Sequence, residues 1–156
     1  MRKLAIFLVL FLVPFFIFAQ QAEILYSVHM ANVGWGGYAT NGETGGTTGQ
    51  NRAVEAMRIR VASTIAGGVR YDVYTNNVGW LGWQFDNDIA GITGRNNRVE
   101  SIRIQLTGEL ANKYNVRYRV HMQNVGWSGW QMNGDASGTT GQNRAIEAIQ
   151  VVLDPK

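Results

Sequence analysis

Cysteine is absent from the 156 residues. That excludes a disulfide scaffold, a thiolate zinc site, a cysteine nucleophile and a lipid-anchored N-terminal Cys. Histidine occurs only as His29 and His121, too few for a multi-His metal centre. Charged residues make up 16% of the chain, and Lys is scarce among them. No window has helical periodicity, and no nucleophile elbow, phosphate loop or His-x-x-x-His pattern occurs. Gly-Thr-Thr-Gly-Gln lacks the Lys and the long spacing of a phosphate loop. What the chain does have is 19 Gly, with 5 Trp, 6 Tyr and 6 Phe. That composition, with its many turn formers, predicts an all-β fold.

Residues 1–19 have the pattern of a signal peptide. Arg2 and Lys3 give a positive start, Leu4 to Phe18 is an unbroken apolar run too short for a comfortable membrane span, and Ala19 offers a small residue for cleavage. The expected mature protein begins at Gln20, is secreted or held at the cell surface, and keeps no stable membrane span. Without Arg2 and Lys3 the balance is 12 basic against 11 acidic residues. Near-neutrality removes the electrostatic basis for a nucleic-acid partner.

Self-comparison dominates everything after the leader. Segments 26–61, 71–106 and 118–153 align without a gap. Each opens with Tyr (26, 71, 118) and carries Asn-Val-Gly-Trp ending at Trp35, Trp80 and Trp127. Each continues through Gly37, Gly82 and Gly129, then Gly46, Gly91 and Gly138, then a Thr-Gly pair. Each closes with Glu55, Glu100 or Glu147 followed by an apolar alternation. In 116–123, Val, Tyr, Val and Met take one face while Arg, Arg, His and Gln take the other, which is a half-buried strand. Met57-x-Ile59-x-Val61 and its counterparts predict a second long strand, with Arg58, Arg60, Arg103, Gln105 and Gln150 facing out. One or two short strands are expected between them. The linkers are short, so the closing strand of one unit is expected to run back into the opening strand of the next.

A unit of this size cannot bury both apolar strand faces alone, whereas three units around a pseudo-threefold axis can. The predicted domain is therefore 20–156, built of repeats 24–61, 69–106 and 116–153. A three-sheet β-prism is favoured, and a β-trefoil is the alternative.

The sequence Asn-Val-Gly-Trp-x-x-Trp, then Asn-Gly, Gly-Thr-Thr-Gly-Gln and Glu-Ala-Ile, resembles the clostridial hydrophobic repeat with its Gly-Trp core, the ChW repeat, over residues 24–153. The resemblance implies a secreted or surface protein that binds carbohydrate or protein partners. The family's Arg two places before the Glu is matched here by Arg98 alone, with Ala53 and Ala145 in the other units.

Candidate ligand-binding residues follow from the repeats. Trp35, Trp80 and Trp127 are either core anchors packed on the Tyr and Val of the opening strand or stacking platforms for sugar rings. Tyr38, Trp83 and Trp130 follow a Gly that would leave one ring face open, and exposure is expected there. Asn41, Asp86 and Asn133 are turn residues or hydrogen-bonding groups for sugar hydroxyls. The three Glu share parity with the inward face, so they are expected to accept hydrogen bonds from the Gly-Thr-Gly turn or a Trp N–H. His29 and His121 are expected to be exposed, since Tyr74 stands at their position in unit two. The expected function is a non-catalytic module that binds a glycan or cell-wall polysaccharide, with no cofactor and no metal. A protein-interaction or surface-assembly domain is the alternative.

Overall fold

The structure is a computed structural model, and it describes residues 22–156. The expected leader and its cleavage site lie outside the described residues. The first unit comprises β1 (Glu23–Met30), β2 (Gly34–Trp35), β3 (Ala39–Thr40), β4 (Gly45–Gly46) and β5 (Val54–Ala62). The second comprises β6 (Val69–Thr75), β7 (Gly79–Trp80), β8 (Gln84–Phe85), β9 (Ala90–Gly91) and β10 (Val99–Leu106). A short helix, α1 (Gly108–Lys113), leads into β11 (Tyr114–Met122), β12 (Gly126–Trp127), β13 (Gln131–Met132), β14 (Ser137–Gly138) and β15 (Ile146–Pro155). The helix was not expected. It seals the linker by burying Leu110 completely. No helix among the described residues is long and apolar enough to cross a membrane.

Strand pairing is confined to three separate sheets of five strands, one per repeat, so the all-β threefold expectation holds. Within a unit the long opening and closing strands pair antiparallel, as β1 with β5, β6 with β10 and β11 with β15. The closing strand of one unit does not pair with the opening strand of the next; the linkers turn a corner onto a new sheet.

Closure comes instead from an exchange of short strands. From unit two, β9 adds to the edge of unit one at β5; from unit three, β14 adds to β10; from unit one, β4 adds to β15. Each sheet thus lends one edge and borrows another, which covers main-chain groups that would otherwise lie open. The pairing requires a very close approach at Gly46, Gly91 and Gly138. These have φ of 103°, 120° and 109°. A Cβ on any of them would fall 2.4, 2.3 or 2.2 Å from the carbonyl oxygen of Glu147, Glu55 or Glu100.

The inner faces of the three sheets share one core. Tyr26, Tyr71 and Tyr118 are fully buried in it with Val28, Ile59, Val73, Ile104 and Val120. Each tyrosine hydroxyl crosses to a turn of its own unit and donates to the backbone carbonyl of Glu43, Asp88 or Asp135. Burial raises the pKa of all three phenols, that of Tyr71 to about 12.

The register also defines two ends. Both ends of the described chain, the linkers and α1 cluster where the opening strands begin, since Glu23 pairs with Ala62 and Tyr114 with Pro155. The three Asn-Val-Gly turns and the three Thr-Gly loops gather at the opposite end, beyond Met30, Thr75 and Met122.

Candidate functional site

Outer strand positions carry the first repeated constellation. Trp35 pairs across from His29, Trp80 from Tyr74 and Trp127 from His121. Each ring meets its neighbour edge-on, with centroids 5.4, 5.7 and 5.4 Å apart. A guanidinium then lies over each Trp: Arg58 at 4.6 Å, Arg103 at 4.4 Å and Arg119 at 4.8 Å. The same arginine reaches the second aromatic, Tyr38, Trp83 or Trp130, at 5.1, 4.6 or 4.6 Å. A second arginine closes the series, with Arg60 over Tyr38, Arg70 over Trp83 and Arg117 over Trp130. Each sheet therefore wears a ladder in which aromatic and cationic rungs alternate.

The arginines arrive from different strands. Unit one takes both from β5, unit three takes both from β11, and unit two takes one from β6 and one from β10. Cross-strand pairing makes this possible, because Ser27 faces Arg58, Asp72 faces Arg103 and Gln150 faces Arg119. Position within a unit is not preserved; the rung is. The outward parity of these residues was readable in the sequence. Their convergence was not, since no single column of the repeat holds Arg three times.

The ladder revises the reading of the aromatics. Trp35, Trp80 and Trp127 are half-buried on the outer face and belong to no core cluster, so the core-anchor expectation fails; the buried aromatic of each unit is its Tyr. Tyr38 is exposed, but Trp83 and Trp130 are half-buried. Guanidiniums stack on these rings, while nothing lies within 4 Å of the Cβ positions of the neighbouring Gly37, Gly82 and Gly129. Trp80→Ala removes the shared rung of one ladder and is expected to cost about 2 kcal/mol, from one cation–π pair and partial apolar burial. Denaturant unfolding checks this, and an unchanged midpoint would make the ladder dispensable.

Asn41, Asp86 and Asn133 do not join the aromatics. They sit at the terminus-bearing end with positive φ, and their side-chain oxygens accept from the backbone N–H of Leu153, Val69 and Val116. Two of those are strand N–H groups of the same unit; Asn41 reaches from unit one to β15 of unit three. Their chemistry is spent on turns and on closure.

A second constellation lies at the loop end, where one repeat meets the next. Register shifts between His29 and Met30, Val99 and Ser101, and His121 and Met122 mark a β-bulge at each Glu. The extra residue turns the carboxylate away from the core, which overturns the inward parity read from the sequence. Glu55 is 3% exposed, and its two oxygens accept the backbone N–H groups of Gly94 and Asn96 from unit two. Glu147 likewise accepts from Gly49 of unit one. The Thr-Gly turn is the partner expected, but it comes from another repeat. His29 Nδ1 lies 3.2 Å from Glu55, and His121 Nδ1 lies 3.1 Å from Glu147, so neither His is the freely exposed group expected. At the remaining junction Tyr74 replaces His, and the buried Glu100 leaves Oε2 without a hydrogen bond.

Between units one and two this arrangement leaves an open cleft of about 670 Å³. His29 and Glu55 line it, with the Asn32-Val33-Gly34 turn on one side and Gly94-Arg95-Asn96 on the other. Val33, Val78 and Val125 are 51%, 62% and 53% exposed, the same apolar tip in every unit. Sequence reasoning missed them, although a β-branched residue repeated inside an Asn-Val-Gly turn is a readable signal. Ladder and cleft are continuous, because the His or Tyr that meets the Trp edge also stands at the junction.

Comparison with known proteins finds one family, described as ChW, Clostridial hydrophobic W, matching residues 29–62, 74–108 and 121–155. No curated protein and no solved structure matches.

Proposed function

This chain belongs to the clostridial hydrophobic W family, with three repeats, and from that premise we propose that it is an exported, non-catalytic module that binds carbohydrate in the clefts between its repeats. The observation that carries the reading is the cleft of about 670 Å³ between units one and two, which is large enough for sugar residues. Its walls combine an exposed Val side chain, suited to the C–H face of a pyranose, with Asn amides and a cation suited to hydroxyl and acid groups. It lies at the end remote from both ends of the described chain, so a tether at either end leaves it free. The ladders stiffen the outer faces and position the His or Tyr ring at the mouth. Each junction offers a single Glu, buried in all three and held by backbone N–H groups at Glu55 and Glu147; glycoside hydrolysis by the common routes uses two carboxylates about 5–10 Å apart. That supports binding without turnover. Export rests on the leader pattern of residues 1–19.

The exposed Val turn recurs at three junctions, and that repetition gives avidity on a repetitive polymer. The triple variant Val33→Ser, Val78→Ser, Val125→Ser is expected to keep its melting temperature, because the side chains are already in water. It should lose roughly tenfold or more in affinity for cell-wall polysaccharide, measured by sedimentation with the insoluble polymer. Unchanged binding would remove the clefts from the function, and failure of the wild type to bind any polysaccharide would favour a surface protein as partner.

A further inference from the structure

The three junctions are not chemically alike. In the Thr-Gly loop of each unit, unit two carries Arg95 where units one and three carry Gln50 and Gln142. Arg95 lines the cleft between units one and two, is exposed, and has no ion pair or hydrogen-bond partner among the described residues. The acid that lines the same cleft cannot neutralise it at close range, since Glu55 is buried, already accepts from the Gly94 and Asn96 N–H groups, and lies 3.2 Å from His29 Nδ1. The other two glutamates of this end are equally buried. Asp72 lies beneath Arg103, and acids such as Glu23, Glu43, Asp88 and Asp135 belong to the opposite end. Arg52 and Arg144 also lie at the loop end, but they occupy the position of Asn97, which does not line the cleft.

The cleft therefore presents donors in excess. Arg95 offers a planar fork of N–H groups, Asn32 and Asn96 offer amides, and the one carboxylate has its lone pairs committed. We infer that the cleft between units one and two selects an anionic residue of a hydroxyl-rich polymer, bound through Arg95, while the other two junctions take uncharged ones. This rests on the carbohydrate reading above. The recognised chemistry is an oxyanion on a hydroxyl-rich chain, either a carboxylate or a phosphate diester. A guanidinium matches both geometrically.

The test uses the protein of residues 20–156 and three probes: polygalacturonate, the same polymer with its carboxylates methyl-esterified, and poly(glycerol phosphate). Arg95→Gln installs the residue that both sister repeats carry, so the loop keeps a side chain it already tolerates twice. Wild type is expected to bind polygalacturonate or poly(glycerol phosphate) at least about tenfold more tightly than the esterified polymer, with affinity falling as salt rises. The preferred anionic probe identifies carboxylate or phosphate as the group read. Arg95→Gln should erase that preference, bringing the affinity for the anionic probe down to that for the esterified polymer. Equal binding of charged and esterified polymers by the wild type overturns the inference while the carbohydrate reading stands. So does an Arg95→Gln variant that retains the anionic preference. Failure to bind any of the three probes overturns the inference, and failure on neutral cell-wall polysaccharide as well removes the carbohydrate reading itself.

Discussion

Gly91→Ala is expected to lower the melting temperature by about 10–20 °C. The residue lies where β9 of unit two crosses onto β5 of unit one. With φ at 120° an L side chain is strained before any contact is considered. A Cβ would then lie 2.3 Å from the Glu55 carbonyl oxygen and 2.5 Å from the Ala56 Cα. Both obstacles are backbone, so no side-chain rotation relieves them. The short strand must lift away, which opens a sheet edge and withdraws the Gly94 and Asn96 N–H groups from the Glu55 carboxylate. Left-handed strain of about 1–3 kcal/mol and overlap of similar size together cost about 3–5 kcal/mol. For a domain of this size that corresponds to the stated shift. Gly37→Ala is the control, since nothing lies within 4 Å of its Cβ position, and it should melt like wild type. Equal melting of the two variants would show that strand exchange does not hold the three sheets together.

Alkali is expected to unfold the domain between pH 10 and 12. Tyr26, Tyr71 and Tyr118 are fully buried, and their desolvation favours the neutral phenol. For Tyr71 the folded pKa is about 12 against 10.0 in the open chain. A raised folded pKa means that the unfolded chain ionises first. The stabilisation is therefore complete below pH 10 and is lost as pH rises through 12. That pKa difference corresponds to about 3 kcal/mol for Tyr71, and the other two phenols act in the same direction. Melting temperature followed from pH 8 to 12, with phenolate absorbance alongside, should show unfolding and tyrosine ionisation in one transition. Tyrosines that ionise without loss of structure would mean that the hydroxyls reach water despite their burial.

Much of the architecture was legible because it repeats. A period-two pattern on two long strands, recurring three times, leaves a single unit with two apolar faces to cover, and threefold closure is the economical answer. The turn residues Asn41 and Asn133 were legible for the same local reason, since Asn tolerates positive φ and bonds backbone. The glutamates were misread because parity counts residues and a bulge inserts one. A single extra residue at Glu55, Glu100 and Glu147 moves each carboxylate from the core side to the junction. For the first tryptophans the repeats left core anchor and stacking platform both open, because invariance among repeats fits either role. The rule met by Trp35, Trp80 and Trp127 is that of a ladder, and its arginines come from either of two paired strands.

The all-β class, the three units, their long strands and their turns are encoded locally, by residues near one another along the chain. Which unit lends a strand to which, where the carboxylates of Glu55 and Glu147 point, and that Val33 of one repeat lines a cleft with Arg95 of the next emerge from folding. Those outcomes depend on the packing of residues tens of positions apart, and strand pairing between repeats leaves no periodicity in the chain that encodes it.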